Sequence, residues 1–316
     1  MLRGLRWTVI GASVLAYGLI VLGAFVRATD SGLSCPDWPT CYGHWIPLPS
    51  DVAAVPGIRY TYGQVMAEWM HRLIAGTLLG PLALAIAVWA FLLRARDGRL
   101  PVIAGVMLLL LLSQAALGGV TVLDRNSPWS VALHLGNALL FLASLLLLVE
   151  RTGRPAVVPT PRGLALLAAG ATATAWLAML SAAMTTKMGA ALACATWPSC
   201  DGLLVPDLGD PLIRIHFTHR VLAATTGLAV LALLLGSTKA PPPVRRLIRA
   251  AALLIAVQVA LGALVIVWQV PLATAVLHMA VGVLVFVLLT LLTWRSFAVA
   301  SAKPEESAHE LALHGA

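Results

Sequence analysis

Four histidines lie inside long apolar stretches of this sequence, where an ionisable side chain is rare enough to suggest a function. They are His71, His134, His219 and His278. Two imidazoles that face each other across a helical bundle can ligate a haem iron from both sides. The chemistry that these residues first suggest is therefore bis-histidine haem ligation.

The histidines recur with their neighbours in the same order, which indicates that the chain is an internal duplication. Both halves contain the frame C-x-x-W-P-x-C, then a His-Arg pair, then a glutamine, then a second histidine. The matched landmarks and their offsets are Cys35–Cys41 with Cys194–Cys200 (159), His71-Arg72 with His219-Arg220 (148), Gln114 with Gln258 (144) and His134 with His278 (144). Each half therefore holds one histidine pair.

Composition places these pairs in a membrane. Of 316 residues, 60% are hydrophobic and only 11% are charged, and the mean hydropathy is +0.91. Soluble domains carry about 25% charged residues, so a cytosolic enzyme, a disordered chain and a nucleic-acid binder are excluded. Eight stretches are long enough to span a bilayer: 7–27, 64–93, 101–123, 129–149, 163–186, 212–235, 250–270 and 271–296.

We therefore predict an all-α membrane protein built from two tandem four-helix bundles. The expected units are an N-terminal half (1–150), a C-terminal half (151–300) and a cytoplasmic tail (301–316). Both halves start on the same side and cross an even number of times, so we expect a pseudo-twofold axis near the membrane normal.

The distribution of basic residues predicts the orientation of the bundle. With both termini inside, five basic residues fall on outer segments, namely Arg27, Arg59, Arg125, Lys187 and Arg214. Fourteen fall on inner segments: Arg3, Arg6, Arg94, Arg96, Arg99, Arg151, Arg154, Arg162, Lys239, Arg245, Arg246, Arg249, Arg295 and Lys303. Both termini are therefore predicted to be cytoplasmic, and the first span to be an uncleaved helix.

The same topology places all four histidines roughly 8–10 Å below the outer surface, at ~1.5 Å of rise per residue. Small residues near them would let a flat macrocycle approach the backbone; these are Gly76, Gly118, Gly136, Ala138, Gly262 and Gly282. Two alternatives remain open: histidines that join helices by hydrogen bonds, and a zinc site. His216, one turn before His219, is a possible alternative ligand.

Glu68 breaks the symmetry between the halves. It lies three residues before His71, on the same helical face, and its counterpart is His216. A carboxylate at one site only suggests acid–base chemistry in the first half and a resident cofactor in the second. The alternative is an interfacial salt bridge with Arg72 or Arg59. Similarly, Arg72 and Arg220 could pair with haem propionates or anchor the helices at the interface.

The four cysteines form two pairs in the outer loops, where an oxidising compartment favours disulfides. Each pair could be a structural staple over the haem site or a redox-active dithiol. The other histidines, His44 in the first outer loop and His309 and His314 in the tail, are expected to be solvated.

These residues together resemble the haem A synthase family, in its bacterial members with two cysteine pairs. The resemblance covers residues 7–296 and is most specific at Glu68-x-x-His71-Arg72, His134, His219-Arg220, His278 and the paired cysteines. It implies oxidation of a haem O methyl group to the formyl group of haem A by successive hydroxylations. By the same resemblance, His71 and His134 would flank the substrate haem O, His219 and His278 would ligate a haem b, and Glu68 would be the catalytic carboxylate.

The expected setting is a bacterial inner membrane, with the haem sites near its outer face. Implied partners are the lipid bilayer, haem O, a neighbouring haem O synthase and an unidentified electron acceptor; no nucleic acid is expected. Two alternatives stay open: a diheme b-type electron-transfer protein linked to quinol, and a thiol–disulfide membrane oxidoreductase.

Overall fold

The computed structural model describes residues 1–153 and 160–298, and within them eight helices are long and apolar enough to cross a membrane. They are α1 (Leu2–Ala28), α3 (Tyr62–Leu73) continuous with α4 (Gly80–Leu92), α5 (Arg99–Leu123), α6 (Pro128–Gly153), α7 (Arg162–Lys187), α8 (Pro211–Gly236), α9 (Pro242–Val267) and α10 (Leu272–Ala298). A short helix, α2 (Pro49–Ala53), lies in the loop between α1 and α3. The prediction of an all-α chain with eight spans is confirmed.

Two helices begin earlier than the hydropathy of the sequence predicts. Helix α1 begins at Leu2 instead of residue 7, and α9 at Pro242 instead of residue 250. Both additional segments are rich in arginine, which lowers hydropathy but is a good helix former. Pro242 favours the start of α9, because the first N–H groups of a helix have no partner within the helix and proline has no N–H.

Each half has the helix contacts of a four-helix bundle. In the first half α1 packs on α3–α4, α4 on α5, α5 on α6 and α6 on α1; in the second α7, α8, α9 and α10 repeat this cycle. Helices α6–α7, α1–α10 and α6–α10 join the halves, and Arg295 donates two hydrogen bonds of 2.9 Å to Glu150 across that interface. These contacts agree with two tandem bundles, while the pseudo-twofold axis stays a prediction.

The predicted tail 301–316, with Lys303, His309 and His314, lies outside the described residues, as does Arg154.

The outer faces of the bundle are apolar, as a lipid-facing surface requires. Only 11% of the most apolar 18-residue stretch of α9 is buried inside the protein. Leucines such as Leu109 and Leu253 are about two-thirds exposed. Apolar side chains instead pack inside the bundle, in one buried cluster that fills the first half and extends to Met179, Met279, Val283 and Phe286 of the second, and in another within the second half. The structure therefore supports a multi-pass membrane protein.

Two matching tight turns set the height of the second histidine in each half. Arg125 and Asn126 both have positive φ between α5 and α6, and Gln269 and Val270 repeat this between α9 and α10. The tight turn predicted at Gln269–Pro271 is thereby confirmed. His134 and His278 each follow their turn by eight residues (134 − 126 and 278 − 270), so the duplication places them equivalently.

One turn of the second span differs between the halves. Between α3 and α4, Ile74–Leu79 form a π-helical turn, in which the Gly80 N–H bonds to the Ala75 carbonyl five residues back. Pro81 follows and has no N–H to continue the ordinary pattern. Helix α8 is unbroken over the matching stretch. This widened turn begins three residues after His71, and such turns are frequent at functional sites.

Candidate functional site

The first-half histidines are brought together by α3 and α6, close enough for His71 to affect the electrostatic environment of His134. The His71 imidazole lies near the Leu19 backbone of α1. Its Nε2 atom lies against the same helix, where a Cβ at Gly23 would be 3.2 Å away. The close approach of this ring to α1 therefore depends on the absence of a side chain at Gly23.

His134 lies against α5. Its Nε2 atom is 3.2 Å from Gln114 Nε2, so the glutamine amide donates and the imidazole accepts. Its Nδ1 atom is buried without a hydrogen-bond partner. A Cβ at Gly118 would be 3.3 Å from His134 Cε1, so Gly118 provides the space in which this ring lies.

The first histidine of the second half is oriented by a backbone carbonyl. His219 Nδ1 lies 3.0 Å from the Ala178 carbonyl of α7 and 3.2 Å from Ser181 Oγ. A carbonyl only accepts, so Nδ1 carries the proton and Nε2 keeps its lone pair. Metal-ligating histidines are commonly oriented in this way. Ala178 corresponds to Leu19 at the offset of 159 residues found for the cysteine frame.

His278 repeats the environment of His134. Its Nε2 atom is 3.4 Å from Gln258 Nε2, and its Nδ1 atom is buried without a partner. A Cβ at Gly262 would be 3.1 Å from His278 Cε1. The electrostatic environment of His278 includes His219, so the second pair is also brought together.

The donor set fits a haem better than a zinc ion. Among the described residues, no cluster of three or more His, Cys, Asp or Glu side chains could hold a metal, whereas zinc takes at least three protein ligands. Two imidazoles per half are what a haem iron needs, because the porphyrin supplies its other four ligands. The glycine beside each of these rings also fits a site that holds a flat group.

Glu68 is buried beneath the first disulfide loop. Its Oε2 atom accepts hydrogen bonds from the Cys35 backbone N–H (2.9 Å) and Ser34 Oγ (3.0 Å). Its Oε1 atom pairs with Arg72 Nη2 at 2.6 Å. The carboxylate therefore joins the helix that carries His71 to that disulfide loop, and Arg72, one of its predicted salt-bridge partners, is found.

His216 takes the place of Glu68 in the second half. Its Nδ1 atom donates to the Ala190 carbonyl at 2.9 Å, and its Nε2 atom accepts from Arg220 Nε at 3.1 Å. Both ring nitrogens are thus engaged, Nδ1 with the second loop and Nε2 with Arg220 of the same helix, and these contacts favour His219 over His216 as the ligand.

Arg72 and Arg220 fasten the disulfide loops to their helices. Arg72 donates to the carbonyls of Cys35, Asp37 and Thr40 as well as to Glu68. Arg220 donates to His216 and to the carbonyls of Cys194, Pro198 and Ser199, of which Cys194 and Ser199 correspond to Cys35 and Thr40. Among the described residues, one N–H of each guanidinium is left without a partner. The propionate contacts stay a prediction, because a propionate would have to bind that N–H or replace a loop carbonyl.

Both predicted disulfides form, Cys35–Cys41 and Cys194–Cys200. All four cysteines are at most 2% exposed. A partner thiol must reach a disulfide sulfur to exchange with it, and burial opposes that attack. The contacts therefore favour the structural staple over the redox-active dithiol.

Asp37 holds the first loop closed. Burial would raise the pKa of this carboxyl, but hydrogen bonds from Thr40 Oγ1 and the backbone N–H groups of Gly43 and Tyr42 outweigh it and lower the pKa. His44, in the same loop, is exposed as predicted.

Sequence reasoning missed several partners of these side chains. Gln114 and Gln258 were used only as landmarks of the duplication, although their offset of 144 residues equals that of His134 and His278. That shared offset was the available signal that each glutamine accompanies a histidine. Nothing in the sequence singled out Ser34 or Gly23.

The chain is similar to known proteins over most of its length. The family model described as cytochrome oxidase assembly protein matches residues 6–290. The chain is 30% identical to the Heme A synthase of Shewanella oneidensis, over 93% of this chain and 96% of that protein. It is 30% identical to the Heme A synthase of Symbiobacterium thermophilum over 88% and 90% of the two chains, and 26% identical to that of Geobacillus kaustophilus over 99% and 98%. The chain therefore belongs to the cytochrome oxidase assembly protein family that includes the bacterial haem A synthases.

Proposed function

We propose that this protein is a haem A synthase, an oxidoreductase that converts a methyl group of haem O to the formyl group of haem A for cytochrome oxidase assembly. The proposal is supported by the two histidines in each half that lie close enough to interact electrostatically, in a chain of this family. The substrate is a lipid-tailed porphyrin, which explains a site among membrane-spanning helices.

The two halves have different tasks in this proposal. His71 and His134 flank haem O in the first half, and His219 and His278 ligate a resident haem b in the second. Bound there, haem b supplies electron transfer within the bundle. The assignment is supported by the free lone pair of His219 Nε2, which the Ala178 carbonyl orients, and by the presence of Glu68 in the first half only.

Glu68 is the proposed catalytic carboxylate. Within the described spans only Glu68 and Glu150 carry a carboxylate, and Glu150 is paired with Arg295 away from the histidines. Glu68 lies one turn before His71, and its hydrogen bonds with Ser34, Cys35 and Arg72 fix its orientation. The chain thus provides one buried group able to accept a proton beside the substrate histidines.

The proposed setting is the bacterial inner membrane, with both termini cytoplasmic and the histidine pairs near the outer face. The excess of basic residues on the inner segments supports that orientation. A haem O synthase neighbour would deliver the substrate within the bilayer, and a separate electron acceptor would reoxidise the protein.

The deciding experiment is pigment analysis of the purified full-length protein, together with an assay of haem O conversion in membranes. Haem O or haem A beside haem b, with haem A formed on incubation, supports the synthase. Haem b alone with quinol-linked turnover would instead favour the diheme electron-transfer protein. Activity lost in cysteine variants but kept in histidine variants would favour the thiol–disulfide oxidoreductase.

A further inference from the structure

The first half contains a polar network that the second half lacks. Asn137 Nδ2 donates to the Leu110 carbonyl (2.9 Å) and to Gln114 Oε1 (2.7 Å), and Ser113 Oγ lies 2.9 Å from Asn137 Oδ1. At the offset of 144 residues, Asn137 corresponds to Val281 and Ser113 to Val257. Valine offers no hydrogen bond, so the second half cannot repeat the network.

The network fixes which way the Gln114 amide points. A backbone carbonyl only accepts, so the Leu110 contact requires Asn137 to direct its NH2 group toward Leu110 and Gln114. Gln114 must then present its oxygen to Asn137 and its NH2 group to His134 Nε2, 3.2 Å away. In the second half, Gln258 Oε1 is buried without a partner, and its NH2 group is 3.4 Å from His278 Nε2.

Nε2 is the nitrogen that a porphyrin iron can reach, because Nδ1 is adjacent to the ring carbon that carries the rest of the side chain. Ligation of His134 must therefore break its hydrogen bond to Gln114. His71 Nε2 likewise lies against α1 at Gly23. In contrast, no hydrogen bond joins His219 Nε2 to another described residue, and its Nδ1 is already oriented by Ala178.

We propose that Asn137 and Ser113 hold Gln114 as a competitor for His134 Nε2, so that the first-half site binds and releases its porphyrin readily. This inference rests on the proposed function, in which haem O enters and haem A leaves the first half while haem b stays in the second. Gln114 and Asn137 are positioning residues in this account. No such network of described residues holds Gln258, so it can move away from His278 with a smaller loss of hydrogen bonding when a permanent ligand binds.

The test is the affinity for haem O of the purified protein that carries its resident haem, measured by spectral titration in detergent. Gln114→Met removes the competing amide at similar volume and is expected to tighten binding about fivefold, the equivalent of one ordinary hydrogen bond. Asn137→Val introduces the second-half residue and is expected to tighten binding in the same direction by about two- to fivefold. Release of the bound porphyrin to excess apomyoglobin should slow accordingly.

Val281→Asn is the reciprocal control, because it can anchor Gln258 and should speed loss of the resident haem. A purely structural role for the network predicts the opposite sign, namely weaker haem O binding in Gln114→Met and Asn137→Val. Weaker or unchanged binding in both variants, with normal resident haem, overturns the inference. If His134→Ala leaves haem O binding unchanged, the site assignment in the proposed function fails, and the inference fails with it.

Discussion

The backbone N–H of Cys35 donates a 2.9 Å hydrogen bond to Glu68 Oε2, and the carbonyl of the same residue accepts one from Arg72. One disulfide-bonded residue thus positions both the only carboxylate near the histidines within the described spans and the arginine that pairs with it. His216 and Arg220 repeat the scaffold beneath Cys194, with an imidazole in place of the carboxylate. In both halves an arginine holds the disulfide loop, but the side chain beside it is a carboxylate, Glu68, in the first half and an imidazole, His216, in the second.

Replacing both cysteines of one loop should separate the tasks of the halves. Cys35→Ser with Cys41→Ser releases the loop that holds Glu68, so haem A formation should fall at least about tenfold, the effect of roughly 1.4 kcal/mol at the reacting group. Pigment analysis should show normal haem b. The matched control, Cys194→Ser with Cys200→Ser, should instead lower haem b content. Equal effects of the two double variants on haem b would contradict the separation.

Glu68→Gln keeps the size of the side chain but removes its charge and its ion pair with Arg72. We expect haem A formation to stop while the fold and haem b remain, because a neutral amide cannot serve as the acid–base group. The measurement is haem A yield in a strain that depends on this copy. A normal yield would exclude Glu68 from the chemistry.

Gly118 lies beside His134 and Gly262 beside His278, so the same substitution can be compared in the two halves. A Cβ would be 3.1 Å from His278 in Gly262→Ala and 3.3 Å from His134 in Gly118→Ala. Overpacking of this kind costs about 1–3 kcal/mol, so each histidine should shift. Gly262→Ala should lower haem b content, and Gly118→Ala should weaken haem O binding about tenfold with haem b unchanged. The account is wrong if both variants affect only haem b.

Acid should loosen the first outer loop before the second. The pKa of Asp37 is lowered in the folded loop, so its hydrogen bonds stabilise the loop above the ordinary value of about 3.9 and are lost as pH falls through the folded pKa. Thr196 occupies the matching position in the second loop and does not titrate, and Asp201 of that loop accepts a hydrogen bond from the Ala195 N–H, against the three that Asp37 accepts. Limited proteolysis between pH 6 and about 2.5 should cut the first loop preferentially, and Asp37→Asn should remove that pH dependence.

The eight spanning helices could be predicted from the apolar stretches, because bilayer thickness acts directly on sequence. The histidine pairs followed from the duplication. The partners of Glu68 did not, because Ser34 and the Cys35 amide reach it through the path of a loop rather than through helical spacing. The π-helical turn after His71 was also missed, since Pro81 alone is compatible with an ordinary kink.

We propose above that two imidazoles in each half bind an iron porphyrin, with the resident haem b held by His219 and His278. The most direct test is the low-spin haem b spectrum of the purified protein, recorded for single alanine substitutions of the four histidines. We predict that His219→Ala and His278→Ala abolish the normal low-spin signal, whereas His71→Ala and His134→Ala retain it and lose haem O conversion. A normal low-spin spectrum in His278→Ala would contradict the account.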